Sequence, residues 1–177
     1  MRPPALPGAA AATLAGLLLA SPASVAEPAR VAVFPVELLD TSGEGPRPGQ
    51  AEKLATLSRL LREELAASGR YAAVDLAPFA AEIGRESPLY RCGGCQLGLA
   101  RRAGARYAVD VIVRKMSTLV QEMALIVADV EEDRIAAFHS VSIRNDSEEA
   151  WRRGLLYLLR NRLLRDDKEA AAAPEGR

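Results

Sequence analysis

The segment from Val31 to Leu39 constrains the fold of this chain more than any other. It is nearly continuous in apolar residues and rich in β-branched ones, the composition of a strand covered on both faces of its sheet. A strand of that kind belongs in the middle of a layered α/β domain. Pro35 interrupts the run, and proline cannot donate to a ladder and prefers edges or bulges.

The rest of the chain supplies what such a strand needs. Residues 40–48, with glycine and proline at several positions, read as a loop, and Leu54, Leu57, Leu61 and Leu65 then fall on one stripe of a helix closed by Ser68-Gly69. Tyr71 to Val74 forms a second strand. Pro78 to Ile83 is a short helix ending at Gly84, residues 85–94 are a loop, and Gln96 to Ala103 is helical up to Gly104. Tyr107 to Val113 begins a third strand. Glu122 to Val130 and Arg134 to Ile143 are two more, joined as a hairpin by the polar turn at residues 131–133. Asp146 with Glu149 three positions on makes a capping-box-like start for a last helix with Trp151, Leu155, Leu158 and Leu159 on its apolar face. Right-handed crossovers make the first three strands parallel, and the hairpin extends them antiparallel. The expectation is a single α/β domain with a mixed five-stranded sheet in the order 2-1-3-4-5 and helices packed on it.

The chain opens with the pattern of a secretory leader: Met1-Arg2, an apolar run from Ala9 to Ala20, and the small residues Ser24-Val25-Ala26 ahead of Glu27. The run is too short to span a bilayer, which takes about 20 residues. Residues 1–26 are therefore expected to be a cleaved signal peptide, 27–166 one domain, and 167–177 a disordered Ala-rich tail. The expected location is the periplasm, with no membrane span after cleavage. About 150 residues remain, enough for one core without a staple. The 23 Lys and Arg balance 23 Asp and Glu, so no long-range field favours nucleic acid or an anionic membrane.

In an oxidising compartment the motif Cys92-Gly93-Gly94-Cys95 reads first as a structural disulfide. Gly93 and Gly94 lack Cβ and can take positive φ, which lets so short a spacer fold back. Closing a ring of this size removes little chain entropy, about 2 kcal/mol by the loop formula, so the bridge shapes its loop more than it holds the fold. A thiol-disulfide oxidoreductase is the sharper alternative, because Cys95 lies at a helix start where a thiolate is favoured and Arg91 adds positive charge. Against it, the motif follows a short helix and loop instead of a strand, and no proline lies between Cys95 and Pro174 to face it. A metal site has two cysteines and the single His139, fewer ligands than a closed site takes, and neither a metal nor any cofactor is expected.

Other polar residues read as structural. His139 is placed on one strand face with Ile135, Ala137, Val141 and Ile143. Asp110 and Arg114 share a strand face, and Glu122 and Asp129 lie near the ends of the next strand; such charges in covered strands are expected at edges or in ion pairs. Arg152, Arg153 and the arginines from Arg160 to Arg165 are expected on a solvated helix face. Gly93-Gly94 lacks the spaced glycines and the lysine of a phosphate loop.

The run Val31 to Ser42, Ser68-Gly69-Arg70-Tyr71, the Cys92–Cys95 loop, Gly104-Ala105-Arg106-Tyr107 and Glu149 to Gly154 resemble a bacterial exported family known as a domain of unknown function. The middle of the chain is also similar to the amino-terminal domain of TolB-like periplasmic proteins. The resemblance implies an assembly or accessory domain and brings no catalytic residues. The expected function is therefore a non-catalytic periplasmic protein that binds another exported protein through a sheet edge, the 40–48 loop or the cysteine loop, with Asp40, Thr41, Ser42, Arg91, Gly93 and Gly94 as contact residues. The alternatives are a redox protein using Cys92 and Cys95 and a small-molecule binder, which would need a sizeable apolar pocket.

Overall fold

A computed structural model describes residues 27–166; the expected leader and Ala-rich tail lie outside the described residues. One mixed sheet organises the domain. Its strands are β1 (Ala29–Val33), β2 (Glu37–Asp40), β3 (Tyr71–Ala73), β4 (Tyr107–Lys115), β5 (Gln121–Asp129) and β6 (Arg134–Ile143). β1 lies between β3 and β4 in parallel pairing, β2 pairs in parallel with the far end of β4, and β5 and β6 continue antiparallel.

The sheet thus has six strands instead of five, because the run from Val31 to Leu39 is two strands that share one side of β4. Counted as one, they leave the order as expected. The break is Pro35. From Val33 to Glu37 the chain advances four residues while its partners on β4 advance three, from Val109 to Ile112, which is a one-residue bulge. The N–H of Phe34 still reaches the Val109 carbonyl at 3.1 Å. That of Val36 leaves the ladder and donates instead to Ser58 Oγ at 2.8 Å, and Ser58 donates in turn to the Leu54 carbonyl at 2.7 Å. No buried backbone donor is orphaned by the proline.

Helices cover the two faces unequally. α1 (Gln50–Ala67) and α4 (Glu148–Leu158, continued by a wider π turn over Leu159–Leu163) lie on the face that carries Val109, Val111 and Val113 of β4 and Met123, Leu125 and Val127 of β5. Leu57, Leu61, Leu65, Trp151, Leu155 and Leu158 fill this layer and are fully buried, each contributing roughly 1.5–3 kcal/mol by leaving water. The indole N–H of Trp151 donates to Gln121 Oε1 at 2.6 Å. Ser147, not Asp146, caps α4: its hydroxyl accepts from the Ala150 N–H at 3.1 Å. Asp146 instead accepts from Lys53, whose ammonium lies 2.8 Å from its carboxylate and 4.4 Å from the centre of the Trp151 ring.

The opposite face is covered at one end only. α2 (Ala80–Glu86), the cysteine loop and α3 (Cys95–Arg102) pack Ile83, Leu89, Leu99 and Ala100 onto Ala32, Phe34, Ala108 and Ala128. Beyond that patch the face is open.

Candidate functional site

The open end of this second face meets the cysteine loop in a groove of about 280 Å³, floored by Asp110, Ile112 and Ile126 and walled by Tyr90, Leu97 and Ile135. Two sheet features shape it. Register places Ile126 beside Asp110 on one side and Phe138 on the other, so all three point to one face. On β6, Val127 pairs with Ala137 but Ala128 pairs with Ile135, leaving Ala136 as a bulge. Ile135 therefore lies on the groove face, opposite to the face of Ala137 and His139, where uninterrupted alternation had placed it. Ile135 is 60% exposed and Phe138 58%.

The cysteine loop is pinned to the sheet as a rigid wall. Cys92 and Cys95 are joined in a disulfide with Cα atoms 5.5 Å apart. Gly93 and Gly94 have φ of 66° and 102°, the left-handed region that a side chain would strain. The sulfurs pack against the cluster around Leu89 and Leu99. Glu37, at the start of β2, accepts from the amide of Leu89 at 2.7 Å and from that of Tyr90 at 3.1 Å, clamping the turn just ahead of the motif. Arg91, 5.6 Å from the Tyr90 ring centre, and Gly93 are exposed beside this wall.

Asp110 is the unusual group. It is half-buried, and no hydrogen-bond donor among the described residues reaches its carboxyl. Burial, and then the nearby Glu37 carboxylate, push its pKa up to about 7. Of the two settings expected for such charges, edge or ion pair, Asp110 has neither among the described residues: β4 is an inner strand, and Arg114 stands four residues along it, opposite Glu122. Asp129, by contrast, is buried and engaged, accepting from Arg106 at 2.7 Å and from the amides of Glu131 and Glu132.

The remaining expected contact residues lie elsewhere. Asp40, Thr41 and Ser42 belong to a network at the far end of β2, where the buried Lys115 ammonium lies 3.2 Å from Asp40 and 3.1 Å from Glu44. The Thr41 amide donates to the Lys115 carbonyl at 2.9 Å. Hydrogen bonds from Ser42, with Lys115 beside them, hold Asp40 below its usual range; donors on Thr118, then Lys115, hold Glu44 at about 2. This corner borders a separate hollow and does not join the groove. His139 has its Nε2 buried without a hydrogen bond, and Asp166 is its nearest acid at 3.7 Å. Arg152 pairs with Glu149 and Arg160 with Glu64, as a solvated face would.

Chemically the groove offers one part-buried carboxyl without a donor, Asp110, on an apolar floor; its lining also holds Glu37, Asp133, Arg134 and the Tyr90 phenol, and no thiol. Among the described residues no group of three or more His, Cys, Asp or Glu is placed to hold a metal ion, and no helix is long and apolar enough to cross a membrane. Sequence reasoning missed Glu37, Ile112 and Ile126 as site residues. The available signal was an acid, Asp110, inside the apolar run from Ala108 to Val113.

The chain is similar to several known structures. The C-terminal domain of LpoB from Escherichia coli is 17% identical over 70% of this chain and 88% of that one, with a TM-score of 0.50. Lipoprotein GNA1162 from Neisseria meningitidis is 17% identical, covering 82% of this chain and 99% of that chain at a TM-score of 0.47. TolB from Acinetobacter baumannii is 12% identical over 76% of this chain and 28% of its own length, at 0.39. No curated protein matches the sequence. Residues 29–163 match the family model DUF3280, described as a protein of unknown function (DUF2380), and the chain therefore belongs to that family.

Proposed function

We propose that this chain is a non-catalytic accessory protein of the periplasm that binds another exported protein across the open half of its sheet. The observation that carries this reading is the continuity of the groove with Ile135 and Phe138, large apolar side chains left exposed on the edge strand β6. Apolar surface concentrated in one place marks an interaction site more often than scattered exposure does. The free edge of β6 adds unpaired backbone groups to the same region. Arg91, Gly93 and Gly94, which lie in the chain between the lining residues Tyr90 and Gln96, are assigned as contacts on the cysteine-loop side, and Asp40, Thr41 and Ser42 as a secondary contact at the other corner. The leader pattern supplies the compartment.

The test is crosslinking in periplasmic extract, comparing the native protein with the Ile135→Glu, Phe138→Glu double variant. The variant loses the crosslinked partner while its urea denaturation is unchanged. Equal partner yield from a correctly folded variant would overturn the reading.

A further inference from the structure

The groove is apolar along its walls but not neutral. Its lining holds three carboxyl groups, Glu37, Asp110 and Asp133, against one guanidinium, Arg134, and Arg134 is already paired with Glu132. Glu37 is spent on the Leu89 and Tyr90 amides. Asp133 is exposed to water, which leaves Asp110 as the part-buried carboxyl of the groove with no donor supplied by the described residues. An acid seated among Ile112, Ile126 and Leu97 without a partner is destabilised in its charged form, and a cation brought in from outside relieves that.

We propose that the groove receives a lysine or arginine side chain of the partner polypeptide, its aliphatic stem along Ile126 and Ile135 and its cationic end on Asp110. Such side chains combine an apolar stem with a charged tip, the two requirements the groove imposes together. A polypeptide is the occupant because the groove opens onto the exposed Ile135 and Phe138, which give the rest of a chain a surface to follow. The inference rests on the docking reading above and names the chemistry of its anchor. Binding strengthens as Asp110 ionises. The other charged or titratable groups around it are Glu37 on β2, Tyr90 in the cysteine loop, and Asp133 and Arg134 at the start of β6; Arg114 and Glu122 lie further along its face.

The probes are N-acetyl-arginine amide, N-acetyl-lysine amide and the uncharged N-acetyl-norleucine amide, titrated into isotope-labelled protein by NMR. At pH about 8 the two cations shift the amides of Asp110, Ile126 and Ile135 and bind about tenfold more tightly than norleucine, the size of effect a charge-assisted hydrogen bond supports. The preference shrinks severalfold at pH about 5.5, where Asp110 holds its proton, and disappears in folded Asp110→Asn. Equal binding of norleucine, or a preference that survives Asp110→Asn, overturns the inference; if Ile135 and Phe138 are still needed for partner crosslinking, the docking reading stands without it. Cation binding at Asp110 with no dependence of partner crosslinking on Ile135 and Phe138 overturns the polypeptide assignment and the docking reading together.

Discussion

On the face of the sheet that carries Val109, Val111 and Val113, α1 and α4 close over every strand, and the largest side chain, Trp151, is fully buried with its N–H matched to Gln121. On the other face α3 and the cysteine loop cover only the end around Ala108 and Ala128, leaving Ile135 and Phe138 in solvent and Asp110 without a donor. The same strands contribute to both. The difference teaches that folding free energy is drawn mainly from one side of the sheet, so that, with the proposed contact on the other side, substitutions on the two sides should separate stability from recognition.

The comparison breaks most readily at Trp151. Trp151→Ala opens a cavity in the closed layer and lowers the unfolding free energy by about 3–5 kcal/mol; a loss under about 1 kcal/mol in urea titration would show that the layer is not the main core. Asp110 sharpens the contrast from the other side. Its pKa is raised in the folded state, so the native protein holds a proton that the unfolded chain releases, and stability falls as pH climbs from about 4 through about 7. Asp110→Asn removes that loss. It raises stability above pH 7 by on the order of 2 kcal/mol and has little effect near pH 4, which thermal melts across pH resolve.

Replacing Cys92 and Cys95 by serine comes next, with a cost of about 2 kcal/mol or less and a folded domain, since the ring closed is short. The same bridge should have a reduction potential below about −300 mV, and a mixed disulfide trapped by Cys92→Ser alone would revive the redox alternative. The smallest effect on stability belongs to Phe138→Ser, within about 0.5 kcal/mol in chemical denaturation, although it removes part of the proposed contact.

Periodicity was enough to place the four helices, the hairpin and the parallel order around the Val31–Leu39 run, because leucine stripes and β-branched runs report burial directly. It was not enough for the groove. Pro35 announced an irregularity but not that Ser58 would accept the freed Val36 proton. Nothing local marks Ala136 as a bulge, since the pairing that defines it runs through β5. The absence of a donor for Asp110 is likewise a fact of tertiary placement: alternation puts it and Arg114 on one strand face but does not say what packs over that face.

The two bulges have a joint consequence for the groove. In a strand, side-chain direction is a matter of odd and even positions, so one extra residue inverts the parity of everything after it. The residue inserted at Pro35 turns Glu37 out of the helix-covered layer and toward the cysteine loop, and the one at Ala136 turns Ile135 into the groove. Both walls are therefore set by chain length at two points and not by the identity of the lining residues alone. Deleting the extra residue at either point would restore one-to-one pairing with Glu37 still opposite Ile112 and Ile135 still opposite Ala128, whereas a residue added or removed elsewhere in these strands, with the bulge kept, would turn that wall to the other face.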